Sequence, residues 1–215
     1  MIQAVIFDLD GTLMDSEILW VQALQRAYAE KGCRIPDDEA RKLVYGKAWS
    51  DIYKNVDERY PGHYPTIKLA EPVTERHFLA LKAATDIRIH SSIALLRRLA
   101  GEFPLAIVSG STRGTIRTSI VEMGVEDEVC LFLGTEDYSP GKPDPAGFVM
   151  AARKLAVPTT ECLVFEDSEA GVRAAKACGM FCVALQQPGR PPQDLSPADL
   201  ILPDLAQFNL DALDT

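Results

Sequence analysis

Five short, mostly apolar segments constrain this chain more than anything else in it: Gln3–Phe7, Leu105–Val108, Val129–Leu133, Cys162–Phe165 and Phe181–Leu185. Each is rich in β-branched residues and each runs straight into polar or small ones. Short continuous apolar runs fit strands buried on both faces, as in a parallel sheet. Between the last four lie helical stretches: one from about Thr112 to Met123 closed by Gly124, one after Pro145 carrying Phe148, Ala151, Ala152 and Leu155, and one from Ser168 to Gly179. Glycine past the last turn is a usual helix stop, because it takes positive φ at little cost. Strand–helix alternation of this kind reads as right-handed βαβ units in an open α/β sheet.

The rhythm breaks between the first strand and the second. The intervening Ser16–Ile87 has no convincing strand, whereas Ile18, Val21, Leu24 and Tyr28 lie at helical spacing, closed by Lys31-Gly32. Pro36-Asp37-Asp38 opens another helix, and two or three more are expected by Thr85. The predicted organisation is therefore a core domain of residues 1–15 and 88–215, with a helical module, 16–87, inserted after strand one. Beyond Leu185 the chain turns proline-rich (Pro188, Pro191, Pro192, Pro197, Pro203), as a loop around one last short strand, Leu200–Leu202.

Composition removes several function classes. The longest apolar run, Met180–Leu185, is six residues, against the ~20 that cross a bilayer, so no membrane span is expected. The opening MIQAVIFDLDG carries no basic leader or signal-like stretch, and export by that route is not expected. Twenty-two basic against thirty-one acidic residues give a formal charge of −9, which argues against nucleic-acid binding through a general basic surface. The five cysteines, Cys33, Cys130, Cys162, Cys178 and Cys182, contain no C-x-x-C pair. They read as reduced structural thiols in a reducing cytoplasm, and the three in strand-like stretches as small buried hydrophobes.

Ligands of an open parallel sheet bind at the carboxyl ends of its strands. Strand one ends in Asp8-Leu9-Asp10-Gly11-Thr12, strand two in Ser109-Gly110-Ser111 and strand four in Glu166-Asp167-Ser168, with Gly141-Lys142-Pro143-Asp144-Pro145 between strands three and four. Asp8 and Asp10 point the same way in extended chain, and two adjacent carboxylates resist burial without a counter-charge. A divalent cation held by oxygens alone, with Asp167 as a third ligand, suits Mg²⁺. Each element alone has a plainer reading. Asp-x-Asp can be solvated loop carboxylates, Glu166-Asp167 ordinary acidic residues at a helix start, Lys142 a surface lysine, and Ser109 a local cap. The four in this order, each at a strand end, are not explained that way.

These residues resemble the haloacid dehalogenase-like (HAD) superfamily of phosphohydrolases. FDLDGTLMDS, IVSGS, GKPDP and VFEDSEAG stand in the family's order, and the resemblance spans essentially the whole chain. Within the superfamily the chain is similar to the branch of β-phosphoglucomutase and the small sugar-phosphate phosphatases. The resemblance implies a Rossmann-like parallel sheet core with an inserted helical cap domain, and a cytoplasmic, monomeric, Mg²⁺-dependent phosphatase of a small phosphorylated metabolite. On that pattern Asp8 is the nucleophile that becomes an aspartyl-phosphate, and Asp10 is the general acid and then base. The metal set is Asp8, the Asp10 carbonyl and Asp167, while Glu166 either ligates the ion or orients a water on it. Ser109, Lys142 and Gly110 hold the phosphoryl oxygens, Thr12 steadies the loop, and Asp144 is a candidate partner for Lys142.

Two other readings follow. A β-phosphoglucomutase-type mutase carries a cap histidine where this chain has Trp20, and an indole cannot shuttle a proton as imidazole does. Trp20 then serves either substrate contact or cap packing. Lys42, Gly46, Lys47 and Trp49 are the cap-loop candidates for substrate choice, with Lys47 able to hold a carboxylate or sugar hydroxyls or to be a solvated surface lysine. Ile89-His90-Ser91-Ser92 reads as the second hinge. From another class, a phospho-aspartate signalling or binding protein also gathers acids, a hydroxyl and a lysine at a sheet edge. It lacks an acid–base residue two after the nucleophile and a cap, both of which this chain has.

Overall fold

The structure, a computed structural model, describes residues 1–47 and 49–210, with the backbone alone at Trp49 and Ser50. The chain divides into two compact units: Met1–Met14 together with the chain from Arg88 onward, and Asp15–Ile87.

The first unit is built on six parallel strands: β1 (Ala4–Phe7), β2 (Leu105–Val108), β3 (Val129–Leu133), β4 (Cys162–Glu166), β5 (Phe181–Leu185) and β6 (Leu200–Leu202). Their spatial order is β3-β2-β1-β4-β5-β6. The chain steps outward from β1 to β3, then crosses over and steps outward again from β4 to β6. The switch point, where such sheets bind ligands, therefore lies between β1 and β4. Phe7 pairs with Phe165 across it and with Ile107 on its other side. The residues at the carboxyl ends of these three strands, Asp8, Glu166-Asp167 and Ser109, are thereby delivered to one edge.

Strands β1, β2 and β4 are buried throughout. Helices α5 (His90–Ala100), α6 (Arg113–Met123), α7 (Ala146–Leu155) and α8 (Glu169–Ala177) complete this unit. Thr112 and Ser168 cap α6 and α8 by accepting from the Thr115 and Gly171 amides, and Gly124 ends α6 at φ 63°.

Three expectations need correction. The hinge read at Ile89-His90-Ser91-Ser92 is the start of α5, whose buried Ile93, Leu95, Leu96 and Leu99 hold it to the core. Strand β3 is not buried on both faces, because it is the sheet's edge and only Leu133 in it is fully covered. Cys130, on β3, is accordingly exposed rather than a core residue, whereas Cys33, Cys162 and Cys182 are buried; all five thiols are free. Burial pushes the Cys162 thiol up to about 11 and Cys182 higher still. Since the thiolate is the nucleophile, iodoacetamide at pH 8 should label Cys130 first and leave Cys162 and Cys182 unlabelled in folded protein. Peptide mass spectrometry checks this, and early labelling of Cys182 would contradict the packing.

The second unit is helical: α1 (Ser16–Ala29), α2 (Asp37–Val44), α3 (Trp49–Arg59) and α4 (Ile67–Lys82). Val21, Leu24 and Tyr28 of α1 form its core with Leu43, Ile52, Val56 and Tyr64. The Tyr64 hydroxyl satisfies the Ala27 carbonyl at 2.7 Å. This is the inserted helical cap domain of an α/β, Rossmann-like fold. Among the described residues no helix is long and apolar enough to cross a membrane.

Candidate active site

The turn after β1 carries two of the acids. The amides of Thr12, Leu13 and Met14 all converge on the Leu9 carbonyl, and Gly11 sits at φ +90°, a conformation that side chains disfavour. A Cβ at Gly11 would also lie 2.1 Å from Asp167 Oδ2. The turn is thus shaped to bring its backbone against the end of β4.

Asp8 is buried, and its Oδ1 accepts from Lys142 Nζ at 2.5 Å. The same ammonium donates to Glu166 Oε1 at 2.6 Å and to the Val108 carbonyl at 3.2 Å, which uses all three of its protons. It also lies 5.0 Å from the centre of the Phe148 ring. Glu166 has no solvent exposure. Its second oxygen, Oε2, accepts from the amides of Asp167 and Ser168, both at 2.8 Å, and from the Ser168 hydroxyl at 2.9 Å. One carboxylate therefore fixes the cation with one oxygen and the start of α8 with the other.

Asp167 Oδ1 accepts from the buried Thr12 hydroxyl at 3.2 Å and Oδ2 from Arg190 Nη1 at 2.7 Å. The half-buried Asp10 turns the other way. Its Oδ2 accepts from the hydroxyls of Ser109 (3.1 Å) and Ser111 (2.7 Å), and Ser109 Oγ in turn accepts from the Ser111 amide. Tyr138 ties down the Ser109 carbonyl at 2.9 Å.

Asp8, Glu166 and Asp167 each present a carboxylate oxygen within 4.8 Å of the others. The Asp10 side chain, on its serines, is not one of that set. Burial raises the Asp8 carboxyl above the usual carboxylate range, with Glu166 and Asp10 adding to it and Lys142 opposing. Burial pulls Lys142 down, but Asp8 and Glu166 outweigh it and keep it protonated. Four carboxylates (Asp8, Asp10, Glu166, Asp167) against two cations (Lys142, Arg190) leave a formal deficit of two positive charges. A divalent cation would make up that deficit, and an all-oxygen donor set suits Mg²⁺. The residues fit the ion.

The structure brings together Asp8, Asp10, Thr12, Ser109, Lys142, Glu166 and Asp167, with Gly110 exposed at the rim. The pairing of Asp144 with Lys142 does not form. Lys142 has no proton left for it, and Asp144 Oδ1 accepts instead from the Ala146 amide at the head of α7. Trp20 and Lys47 belong to the helical unit. There Trp20 stacks on Phe78 with ring centres 4.0 Å apart, Lys47 Nζ donates to the Lys42 carbonyl, and the Gly46 amide donates to Glu17. The Trp49 side chain lies outside the described residues. Sequence reasoning missed Arg190 and gave no role to Ser111 or Gly171, although they stand in IVSGS and VFEDSEAG. Ser111 stands in the same strand-end turn as Ser109, whereas Arg190 lies well past the end of β5 among prolines and carries no such local signal.

A family model for haloacid dehalogenase-like hydrolases matches residues 5–185. Validoxylamine A 7'-phosphate phosphatase of Streptomyces hygroscopicus subsp. limoneus is 30% identical over 209 residues, covering 96% of each chain. Hexitol phosphatase A of Escherichia coli (strain K12) is 29% identical over 209 residues, covering 95% of this chain and 92% of that one. Among solved structures, a HAD family hydrolase of Deinococcus radiodurans R1 with bound phosphate and sodium superposes with a TM-score of 0.82 at 28% identity, over 99% of this chain and 96% of that one. The chain belongs to the haloacid dehalogenase-like hydrolases, and as an enzyme it is one of that family's phosphohydrolases.

Proposed function

We propose that this chain is a Mg²⁺-dependent phosphatase of a small phosphomonoester, a sugar phosphate or similar metabolite, working through an aspartyl-phosphate on Asp8. The observation that carries the reading is the state of Asp8. Lys142 holds Oδ1, while Oδ2 accepts no hydrogen bond from the described residues, and a second carboxylate, Asp10, is held by two serines beside it. That is a nucleophile with one oxygen presented and an acid–base group within the same turn.

In the first step Asp8 Oδ2 attacks phosphorus, and the ester oxygen leaves with the proton of the Asp10 carboxyl. In the second step Asp10 takes a proton from water, whose oxygen attacks the acyl phosphate and returns Asp8 as carboxylate with inorganic phosphate. Splitting the displacement in two avoids one difficult step. Ser109, with amides near Gly110, holds the phosphoryl oxygens as charge shifts onto them, and Lys142 supplies positive charge from its place beside Asp8. Asp8, Asp167 and the Asp10 carbonyl would hold the metal, with Glu166 supporting it through Lys142. When bound, the ion neutralises the phosphate and the acids around it, lowering the Coulomb barrier between two anions. The names of two relatives, a validoxylamine 7'-phosphate phosphatase and a hexitol phosphatase, support the small phosphorylated substrate class.

A panel of phosphomonoesters with released phosphate measured tests activity and substrate class together. Turnover is expected with Mg²⁺, loss with EDTA and recovery on adding Mg²⁺ back. With β-glucose 1-phosphate the expected product is inorganic phosphate or nothing, because Trp20, stacked on Phe78, offers no proton shuttle for a mutase. Full turnover in metal-free buffer would defeat the metal assignment, and catalytic build-up of glucose 6-phosphate would defeat the choice of phosphatase over mutase.

A further inference from the structure

The proline-rich segment after β5 returns to the acidic cluster. The Arg190 side chain is only 9% exposed. Through Nη1 it donates to Asp167 Oδ2 at 2.7 Å and to the Gly11 carbonyl at 2.9 Å. Gln193 fastens the same loop, its Oε1 accepting from the Glu169 amide at 3.0 Å in the first turn of α8. The bare Cα of Gly11 makes the room, since a Cβ there would lie 2.8 Å from Arg190 Nη1. Arg190 is therefore built into the turn that carries Asp8 and Asp10.

A guanidinium in this place does for Asp167 what a metal ion would do. It supplies positive charge to a buried carboxylate, and it occupies one of the oxygens the ion would use. Arginine is suited to the task because it never loses its proton and bonds two acceptors at once. We propose that Arg190 is a resident counter-cation of the metal site. It neutralises Asp167 in metal-free protein and yields that oxygen to the divalent ion, so that it lowers the site's metal affinity and couples metal binding to release of the 187–193 loop. The inference rests on the metal reading above. Arg190 is a positioning residue, since nothing in the proposed reaction passes through it.

Calorimetric titration of the metal-free full chain with MgCl₂ tests this in wild type, Arg190→Gln and Arg190→Lys. Removing a like charge beside the ligand should tighten Mg²⁺ binding roughly tenfold in Arg190→Gln. Arg190→Lys keeps the charge and should bind nearly as wild type does. Without metal, Arg190→Gln should melt below wild type, and added Mg²⁺ should raise its Tm by more. Hydrogen exchange on wild-type protein gives a reading that needs no variant: Mg²⁺ should speed exchange at the Gln187, Gly189, Arg190 and Gln193 amides. Unchanged or weaker Mg²⁺ binding in Arg190→Gln, equal tightening in Arg190→Lys, or slower loop exchange with Mg²⁺ would each overturn the proposal while leaving the metal site standing. Absence of Mg²⁺ binding by wild type would overturn both.

Discussion

Asp8→Asn is expected to abolish phosphate release while leaving the protein folded. The amide is nearly the same size, and its carbonyl oxygen still accepts the proton that Lys142 gives to Oδ1. What is lost is a nucleophilic oxygen, and removing a nucleophile from a coupled catalytic set costs on the order of 10⁶-fold in turnover. Asp10→Asn should be milder, at about 10²–10⁴-fold, because it slows both proton transfers but leaves the Asp8 carboxylate in place. Intact mass spectrometry during turnover should show added phosphate on wild type and none on Asp8→Asn. Near-wild-type turnover by Asp8→Asn would end the case for covalent catalysis on this residue.

The second large effect is structural. Gly171 lies in the first turn of α8, where helix propensity alone favours alanine by about 1 kcal/mol. Packing predicts the reverse. A Cβ at this position would lie 1.7 Å from Glu166 Oε1 and 1.9 Å from its Cδ. A flexible side chain would swing away, but Glu166 is held by Lys142 on one oxygen and by three donors on the other. Gly171→Ala must break that set, and disrupting a buried ion pair typically costs about 3–5 kcal/mol. Urea denaturation of metal-free protein should therefore show a loss of several kcal/mol. A small gain would mean that α8 shifts freely and that Glu166 is not the anchor described.

What was legible in the sequence was whatever is written locally. The strands could be read because a buried parallel strand is a continuous apolar run, and the acidic edge because Asp8, Ser109 and Glu166-Asp167 each directly follow such a run. The position of a strand within the sheet is not written locally. Val129–Leu133 looks like Phe181–Leu185 in composition, yet one is an edge and the other is interior. Helix α5 was lost because its N-cap is Ile89, with no side-chain cap to mark the start, and His90-Ser91-Ser92 has the composition of a loop. Arg190 was lost for a similar reason: it lies among prolines and glycine, and its partner Gly11 is 179 positions away. Asp144 went the other way, since proximity to Lys142 in sequence suggested a pair that the competition for three protons forbids.

The serines beneath Asp10 set up an interlock. A hydroxyl has one proton to give, and Ser109 spends its proton on Asp10 Oδ2. In the proposed reaction that same proton goes to a phosphoryl oxygen, and the two acceptors cannot be served together. Arrival of the phosphate would therefore take the Ser109 hydroxyl from Asp10 while the Ser111 hydroxyl stays on it. The acid–base group is restrained while the site is empty and loosened when there is an ester to protonate. In that reaction, substrate binding and release of the proton carrier would be a single event, timed by one serine.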